Sequence, residues 1–338
     1  MNKLVLILVA LAVVGCSKSA PPQNTQAPAQ PAAAPPTIQT EKTPTPTTGG
    51  PGVKAEMRNV LFHLTPKAAA LIESLSGELW PLGKNDMPFF DDKNSFEVRV
   101  TNGRISITPQ ALAEIMNRHV FAGKDAPLKD LSIAISNGQM SIKGKLSKGD
   151  IPFETVGTLS VNEDGRLRVR TEKVKALHVP LKTVMGLIGI DLANVVNTSK
   201  IDGLDTDKND LLMDLGLLLP PPHIRGKVSG VQVSDNKIVT LFGDGGKSAA
   251  ATPPKEKSNY MYFQGNRVKF GRLTMDDTDL TILDLDPSDA LEWSQDRYKE
   301  QLEGGYSQID SNFGLRAYVK DLSKLPRKGV PVPARPAD

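Results

Sequence analysis

Apolar residues recur at steps of three and four over residues 177–200, a stretch of the chain with few charges. This spacing places them on one broad face of an α-helix. Pro180 suits the first helical turn, because its fixed φ angle fits a helix and its missing N–H is not needed there. Gly186 and Gly189 are poor helix formers and favour a bend. The predicted apolar face consists of Leu181, Val184, Met185, Ile188, Leu192, Val195 and Val196.

On both sides of this helix the pattern changes to the alternation that is typical of half-buried β-strands. Residues 96–100, for example, alternate between apolar and charged side chains. Asn137 and Gly138 lie between two such segments and favour a tight hairpin. Residues 259–264 and 267–275 are expected to pair with each other across a Gly-Asn turn. Further strands are predicted at residues 58–64, 105–107, 131–135, 140–146, 151–161, 167–171, 211–219, 225–232, 237–242, 280–285 and 315–322.

Short helices are expected at three other places. Thr65 and Thr108 are candidate N-caps, and each is followed by a proline at the first helical position. The first of them predicts a helix at residues 68–75, for which a continuing strand is the alternative. A third helix is expected over residues 290–302, because Asp289 near its start suits the helix dipole.

These elements predict an α+β fold in which a long, highly curved antiparallel sheet wraps around one or two helices. Residues 57–325 are assigned to a single domain, and residues 243–258 to a flexible loop within it, because the strands on both sides have matching character. Residues 16–56 are rich in Pro, Ala, Thr and Gln and predict a disordered tether that cannot bury a core. Residues 326–338 predict a disordered tail.

The N-terminus carries the strongest targeting signal. Residues 4–14 are an apolar run of signal-peptide length, too short to span a bilayer. The following Gly15 and Cys16 resemble the lipobox of bacterial lipoproteins, which implies a signal peptide at residues 1–15 and a lipidated Cys16. By the same resemblance, Ser17 favours the outer membrane of a cell with two membranes. An ordinary secretory signal is the alternative.

Composition narrows the function further. The net charge is +3, and positive and negative residues are mixed along the chain, so the sequence shows no basic patch of the kind that binds nucleic acid. With Cys16 as the single cysteine, no intramolecular disulfide and no cysteine-based metal site can form. The sequence contains no familiar hydrolase, metalloprotease or nucleotide-binding motif. We therefore predict a protein that is not an enzyme and has no catalytic residue, cofactor or metal. The histidines show no ligand spacing; they are His63, His119, His178 and His223.

Two acidic clusters remain as candidates for chemistry. Asp276, Asp277 and Asp279 form the first cluster, and Asp284 with Asp286 forms the second. Both are typical of a solvated turn or a sheet edge, and cation binding is the alternative interpretation.

The order of several segments resembles the bacterial phospholipid-binding branch of the tubular lipid-binding (TULIP) superfamily. The resemblance lies in pattern over about residues 96–242. It implies a helix wrapped by a highly curved sheet, and binding or shuttling of lipids in the cell envelope. The segments that carry it are ITPQALAEIMN, SNGQMSIKGKL, VNEDGRLRVR and VPLKTVMGLIGIDL.

The first functional hypothesis is a lipid-anchored protein of the bacterial cell envelope, with the membrane as its partner through the anchor. It would hold a phospholipid or other amphiphile in an apolar groove. The alternative is a structural or scaffolding lipoprotein with a solid core that binds another, unidentified envelope protein. A third, an enzyme acting on envelope glycans or lipids, would need a convergent carboxylate pair. The predicted groove wall consists of Leu181, Val184, Met185, Ile188, Leu192 and Val195.

Overall fold

The computed structural model describes residues 52–171, 175–176, 198–199, 201–207, 210–234, 236–245 and 259–325, with the backbone alone for residues 175–176. All of them belong to one compact unit, Thr47–Asp338. The predicted signal peptide, Cys16, the tail and almost all of the tether and of the predicted helix at 177–200 lie outside the described residues. Within the described part of the chain, no helix is long and apolar enough to cross a membrane.

The described residues are mostly β-sheet, with a few short helices. Strands are formed by Val53–Thr65 (β1), Ala68–Pro81 (β2), Phe96–Ile107 (β3), Leu128–Ser136 (β4), Gln139–Leu146 (β5), Ile151–Val161 (β6), Leu167–Thr171 (β7), Lys175–Ala176 (β8), Leu204–Asp207 (β9), Asp210–Met213 (β10), His223–Arg225 (β11), Val228–Ser234 (β12), Lys237–Phe242 (β13), Tyr260–Gln264 (β14), Val268–Phe270 (β15), Leu273–Met275 (β16), Asp279–Asp284 (β17), Leu291–Trp293 (β18), Tyr306–Ile309 (β19) and Leu315–Val319 (β20). Helices are formed by Pro109–Ile115 (α1), Leu215–Leu218 (α2) and Tyr298–Glu303 (α3), with a π-helix at Met116–Val120 and a 3-10 turn at Leu322–Lys324.

The larger of the sheets has eleven strands, in the order β12-β13-β3-β2-β1-β14-β17-β20-β19, with β11 beside β3 and β18 beside β1. Most neighbours are antiparallel, but β1 with β18, β3 with β11, and β17 with β20 are parallel. The sheet is therefore mixed, which corrects the expectation of an antiparallel sheet throughout. The parallel partners come from distant segments, and the local turn signals that predicted hairpins carry no information about them.

One edge of strand β1 pairs with two different strands, β14 and β18. Residues 54–58 of β1 pair with β14, and residues 60–62 pair with β18. Asn59 lies between the two halves with a φ angle of 50°, and its Nδ2 donates to Asn259 Oδ1 at 2.6 Å. β1 begins four residues before the predicted domain start at residue 57, because Val53 and Ala55 alternate into the core.

The second sheet has the order β4-β5-β6-β7-β10-β9, with β8 beside β6. Its first hairpin confirms the prediction from Asn137 and Gly138, which adopt φ angles of 53° and 74°. Positive φ at both central positions matches the twist of the flanking strands. The turn before β7 is also confirmed, with Gly165 at φ 80°.

The helix predicted at residues 68–75 is wrong, because these residues form β2. Thr65 Oγ1 accepts hydrogen bonds from the N–H groups of Lys67 and Ala68, at 3.2 and 3.0 Å, as an N-cap would. The chain nevertheless reverses there into a hairpin with β1. β2 lies between β1 and β3, so pairing on both edges outweighs the helix propensity of its alanines.

In the C-terminal part, one further prediction is confirmed only at its end and another is wrong. Residues 290–302 begin as β18, where Leu291 and Trp293 alternate into the core, and the helix starts only at Tyr298. The segment at 259–264 pairs with β1 and β17, and residues 268–275 close on themselves as the hairpin β15–β16. The expected helix after Thr108 is confirmed, with Thr108 Oγ1 accepting from Ala111 N–H at 3.1 Å.

Candidate functional site

The floor of the candidate site is a row of apolar side chains that crosses four neighbouring strands of the large sheet. Phe62 on β1 is in register with Ala70 on β2, Ala70 with Ile107 on β3, and Ile107 with Ile238 on β13. Residues in register on adjacent strands point to the same face, so these side chains form a continuous strip. A second row beside it is formed by Ile72, Ile105 and Thr240.

The walls come from helices and from the second sheet. Helix α1, the π-helix that continues it, and strands β6, β7 and β10 each contribute side chains to the lining. The short helix α2 and the segment that follows it complete the cleft. The wall residues are Leu112, Ile115, Met116, Val120, Leu159, Leu167, Met213, Leu215, Leu218, Leu219, Pro222 and Ile224.

The lining of this apolar cleft is chemically uniform. Among the described residues that line it, Ser106 and Thr240 are the only ones with a polar side chain. The cavity itself has a volume of about 100 Å³, and the atom-free space reaches about 1160 Å³ only when the open solvent at its mouth is included. Several large lining side chains are only partly buried, although they point inward. These are Phe62, Ile105, Ile107, Leu112, Val120, Leu159, Leu215, Leu219 and Ile224.

The opposite face of the same strands carries an ion-pair network. Glu73 on β2 accepts hydrogen bonds from Arg104 Nε at 2.6 Å and from Lys237 Nζ at 2.9 Å. Burial raises the pKa of Glu73, but the hydrogen bonds and charges of Lys237 and Arg104 outweigh it and hold the pKa below its ordinary value. One carboxylate thus joins β2, β3 and β13, the strands whose inner face forms most of the floor.

The sequence-predicted groove lies outside the part of the chain that the structure describes. This applies to Cys16 and to all six predicted wall residues, Leu181, Val184, Met185, Ile188, Leu192 and Val195. The cleft that the structure does describe contains none of these residues, although several of its strands were predicted from the sequence. Their alternation identified which side chains face inward, but no sequence signal showed which of them face open space.

The cleft can bind the apolar part of a ligand, and its lining provides few groups for polar or ionic contacts. Its described lining has no titratable side chain, and Ser106 and Thr240 are its polar residues. The sequence matches no protein-family model, no curated protein and no solved structure.

Proposed function

We propose that this protein is a lipid-anchored envelope protein that binds a lipid or another amphiphile in the apolar cleft. The observation that carries the proposal is the cleft lining, in which all described residues except Ser106 and Thr240 are apolar. Transfer of a CH₂ group from water into such a lining is favourable by about 0.8 kcal/mol. One long acyl chain would therefore gain on the order of 10 kcal/mol before the cost of association is subtracted.

The proposed anchor and tether would determine where in the cell the protein binds its ligand. We propose that Cys16 is lipidated and that the segment between Cys16 and β1 holds the domain near the membrane, which is the outer membrane if the cell has two. At about 3 Å per residue, an extended tether would reach on the order of 100 Å. We also propose the TULIP-like arrangement suggested by the sequence. The large sheet, with an apolar cleft on one face, supports it.

The direct test is native mass spectrometry of the unanchored Cys16→Ser protein, purified from cells without detergent, followed by organic extraction. We expect a defined mass adduct that extracts as a phospholipid or another amphiphile. An unliganded mass, together with no uptake from phospholipid vesicles, would overturn the proposal. That result would favour the alternative, a scaffold that binds another envelope protein.

A cleft-filling variant tests the site itself. Ala70 is 8 % exposed and lies in the floor, so Ala70→Phe places a ring in the space that the ligand needs. Ala134→Phe is the matched control, because Ala134 is exposed on β4. We expect Ala70→Phe to lose lipid uptake while Ala134→Phe retains it. Equal uptake by the two folded variants would show that the ligand binds elsewhere.

A further inference from the structure

Three carboxylates meet where two parallel strands of the large sheet end. Asp284 is the last residue of β17 and lies in register with Val319, the last residue of the parallel strand β20. Asp321 follows two residues later. The loop after β17 brings Asp289 to the same place, and one carboxylate oxygen from each aspartate lies within 4.8 Å of the others.

Two of these carboxylates are buried. Asp284 is 8 % exposed and Asp321 is 3 % exposed, whereas Asp289 faces solvent. The solvated turn expected for Asp284 from the sequence is therefore wrong. Asp321 Oδ1 is buried and has no hydrogen-bond partner among the described residues. An unsatisfied carboxylate oxygen is unfavourable in a protein interior, so its presence points to a missing ligand.

The charges of the cluster are not balanced. Lys324 Nζ lies 2.7 Å from Asp321 Oδ2 and also pairs with Asp286. Within the described part of the chain, Lys324 is the one cation paired with this group. Asp286 adds a fourth carboxylate to the three of the cluster. One ammonium group therefore leaves three negative charges uncompensated.

Asp284 is held by neutral donors rather than by a cation. Its Oδ1 accepts from Asp286 N–H at 2.8 Å, and its Oδ2 accepts from Asn259 Nδ2 at 3.4 Å. Burial is the main cause that raises the pKa of Asp284 to about 6, and the negative charges of Asp321 and Asp289 also raise it. The two hydrogen bonds lower the pKa but do not outweigh these effects.

We propose that Asp284, Asp289 and Asp321 bind one calcium ion. This site is separate from the apolar cleft, and the proposal does not depend on lipid binding. Calcium takes oxygen ligands at about 2.3–2.6 Å, so two ligands of one ion are at most about 5 Å apart, as they are here. The exposed Asp289 leaves coordination positions for water. Calcium tolerates such an irregular set of ligands, whereas magnesium requires a near-octahedral one.

The test is isothermal titration of the purified, EDTA-treated protein with calcium chloride. We expect saturable binding of one ion, and weaker binding of magnesium. Asp321→Asn and Asp289→Asn should each weaken calcium binding by about tenfold or more, since each removes a charged ligand. Asp277→Asn, at an exposed aspartate outside the cluster, is the control and should bind normally.

Several results would overturn the proposal. The first is the absence of saturable binding at calcium concentrations on the order of 10 mM, which lies above the range of known weak sites. The second is unchanged affinity in Asp289→Asn, a variant whose exposed side chain makes unfolding a poor explanation. Equal affinity for magnesium and calcium would overturn the assignment to calcium.

Discussion

Asn117 and Leu131 exchange two hydrogen bonds, in which Asn117 Nδ2 donates to the Leu131 carbonyl and Leu131 N–H donates to Asn117 Oδ1, each at 2.8 Å. The side-chain amide thus acts as a strand partner for β4. It does so between Lys129 and Ser132, where the register of β4 with β5 shifts. Because Asn117 belongs to the π-helix, this pair ties one wall of the apolar cleft to the second sheet.

We therefore expect Asn117→Ala to lower the free energy of unfolding by about 2 kcal/mol, since it leaves two backbone groups without partners. Urea unfolding followed by circular dichroism measures the change. Asn85→Ala is the control, because Asn85 is exposed and its side chain makes a single hydrogen bond, to the Leu82 carbonyl. An equal, small effect in both variants would show that water replaces the Asn117 amide.

The buried carboxylate of Glu97 makes stability depend on pH. Glu97 is 2 % exposed and pairs with Arg99 and Arg225. Burial raises its pKa, but the hydrogen bonds and charges of the two arginines prevail and lower the pKa below the ordinary value of 4.5. A lowered folded-state pKa contributes stability above the unfolded pKa, and this contribution is lost as the pH falls through the folded pKa.

Glu97→Gln should therefore destabilise the protein at pH 7, and its difference from the wild type should shrink below about pH 4. The measurement is the urea midpoint of both proteins across this pH range. Glu303→Gln, at an exposed glutamate without an ion pair among the described residues, should change little at either pH. A difference for Glu97→Gln that does not vary with pH would contradict the role of the charge.

Gly77 allows β2 and β3 to approach closely at a β-bulge. A Cβ atom at this position would lie 2.1 Å from the Arg99 carbonyl oxygen, which is backbone and cannot move aside cheaply. Gly77→Ala should therefore destabilise the protein by about 2 kcal/mol or more, as overpacking does. Gly123→Ala, where nothing lies within 4 Å, should be neutral or slightly stabilising in the same thermal and urea measurements.

The anchor proposed at Cys16 has its own test. We expect Cys16→Ser to abolish incorporation of an alkyne-labelled fatty acid and to release the protein from the membrane fraction of a bacterial host. Ser17→Ala is the matched control and should remain labelled. Labelling of Cys16→Ser would place the acyl group elsewhere, because the chain has no second cysteine.

Local turn chemistry predicted part of the fold, although Thr65-Pro66 carries the same signal as Thr108-Pro109 and precedes strand β2 instead of a helix. Asn137-Gly138 and Thr108-Pro109 produce a hairpin and a helix start through contacts within four residues, so the sequence pattern is sufficient there. β2 and β18 were missed because their state depends on partners far away in the chain. Alanine-rich β2 becomes a strand between β1 and β3, and β18 becomes one beside β1.

The candidate site shows the same limit. Ile105 and Ile107 are separated by one residue, and this spacing identifies them as members of one inward face. A cleft exists only when this face packs against residues of the second sheet, which the spacing does not reveal. The carboxylate cluster depends on the parallel pairing of β17 with β20, which brings Asp284 near Asp321, although 37 positions separate them in the numbering. Neither the cleft nor the cluster leaves a short-range signature in the sequence.

The edge of β1 that pairs with β14 and β18 stays uncovered during most of the synthesis of the chain. The strand emerges first among the described elements, yet its edge is covered only by Tyr260–Gln264 and Leu291–Trp293, some two hundred residues later. Until those segments arrive, the unpaired N–H and C=O groups of β1 are open to other chains. A nascent chain that stalls before residue 293 therefore exposes a template for aggregation.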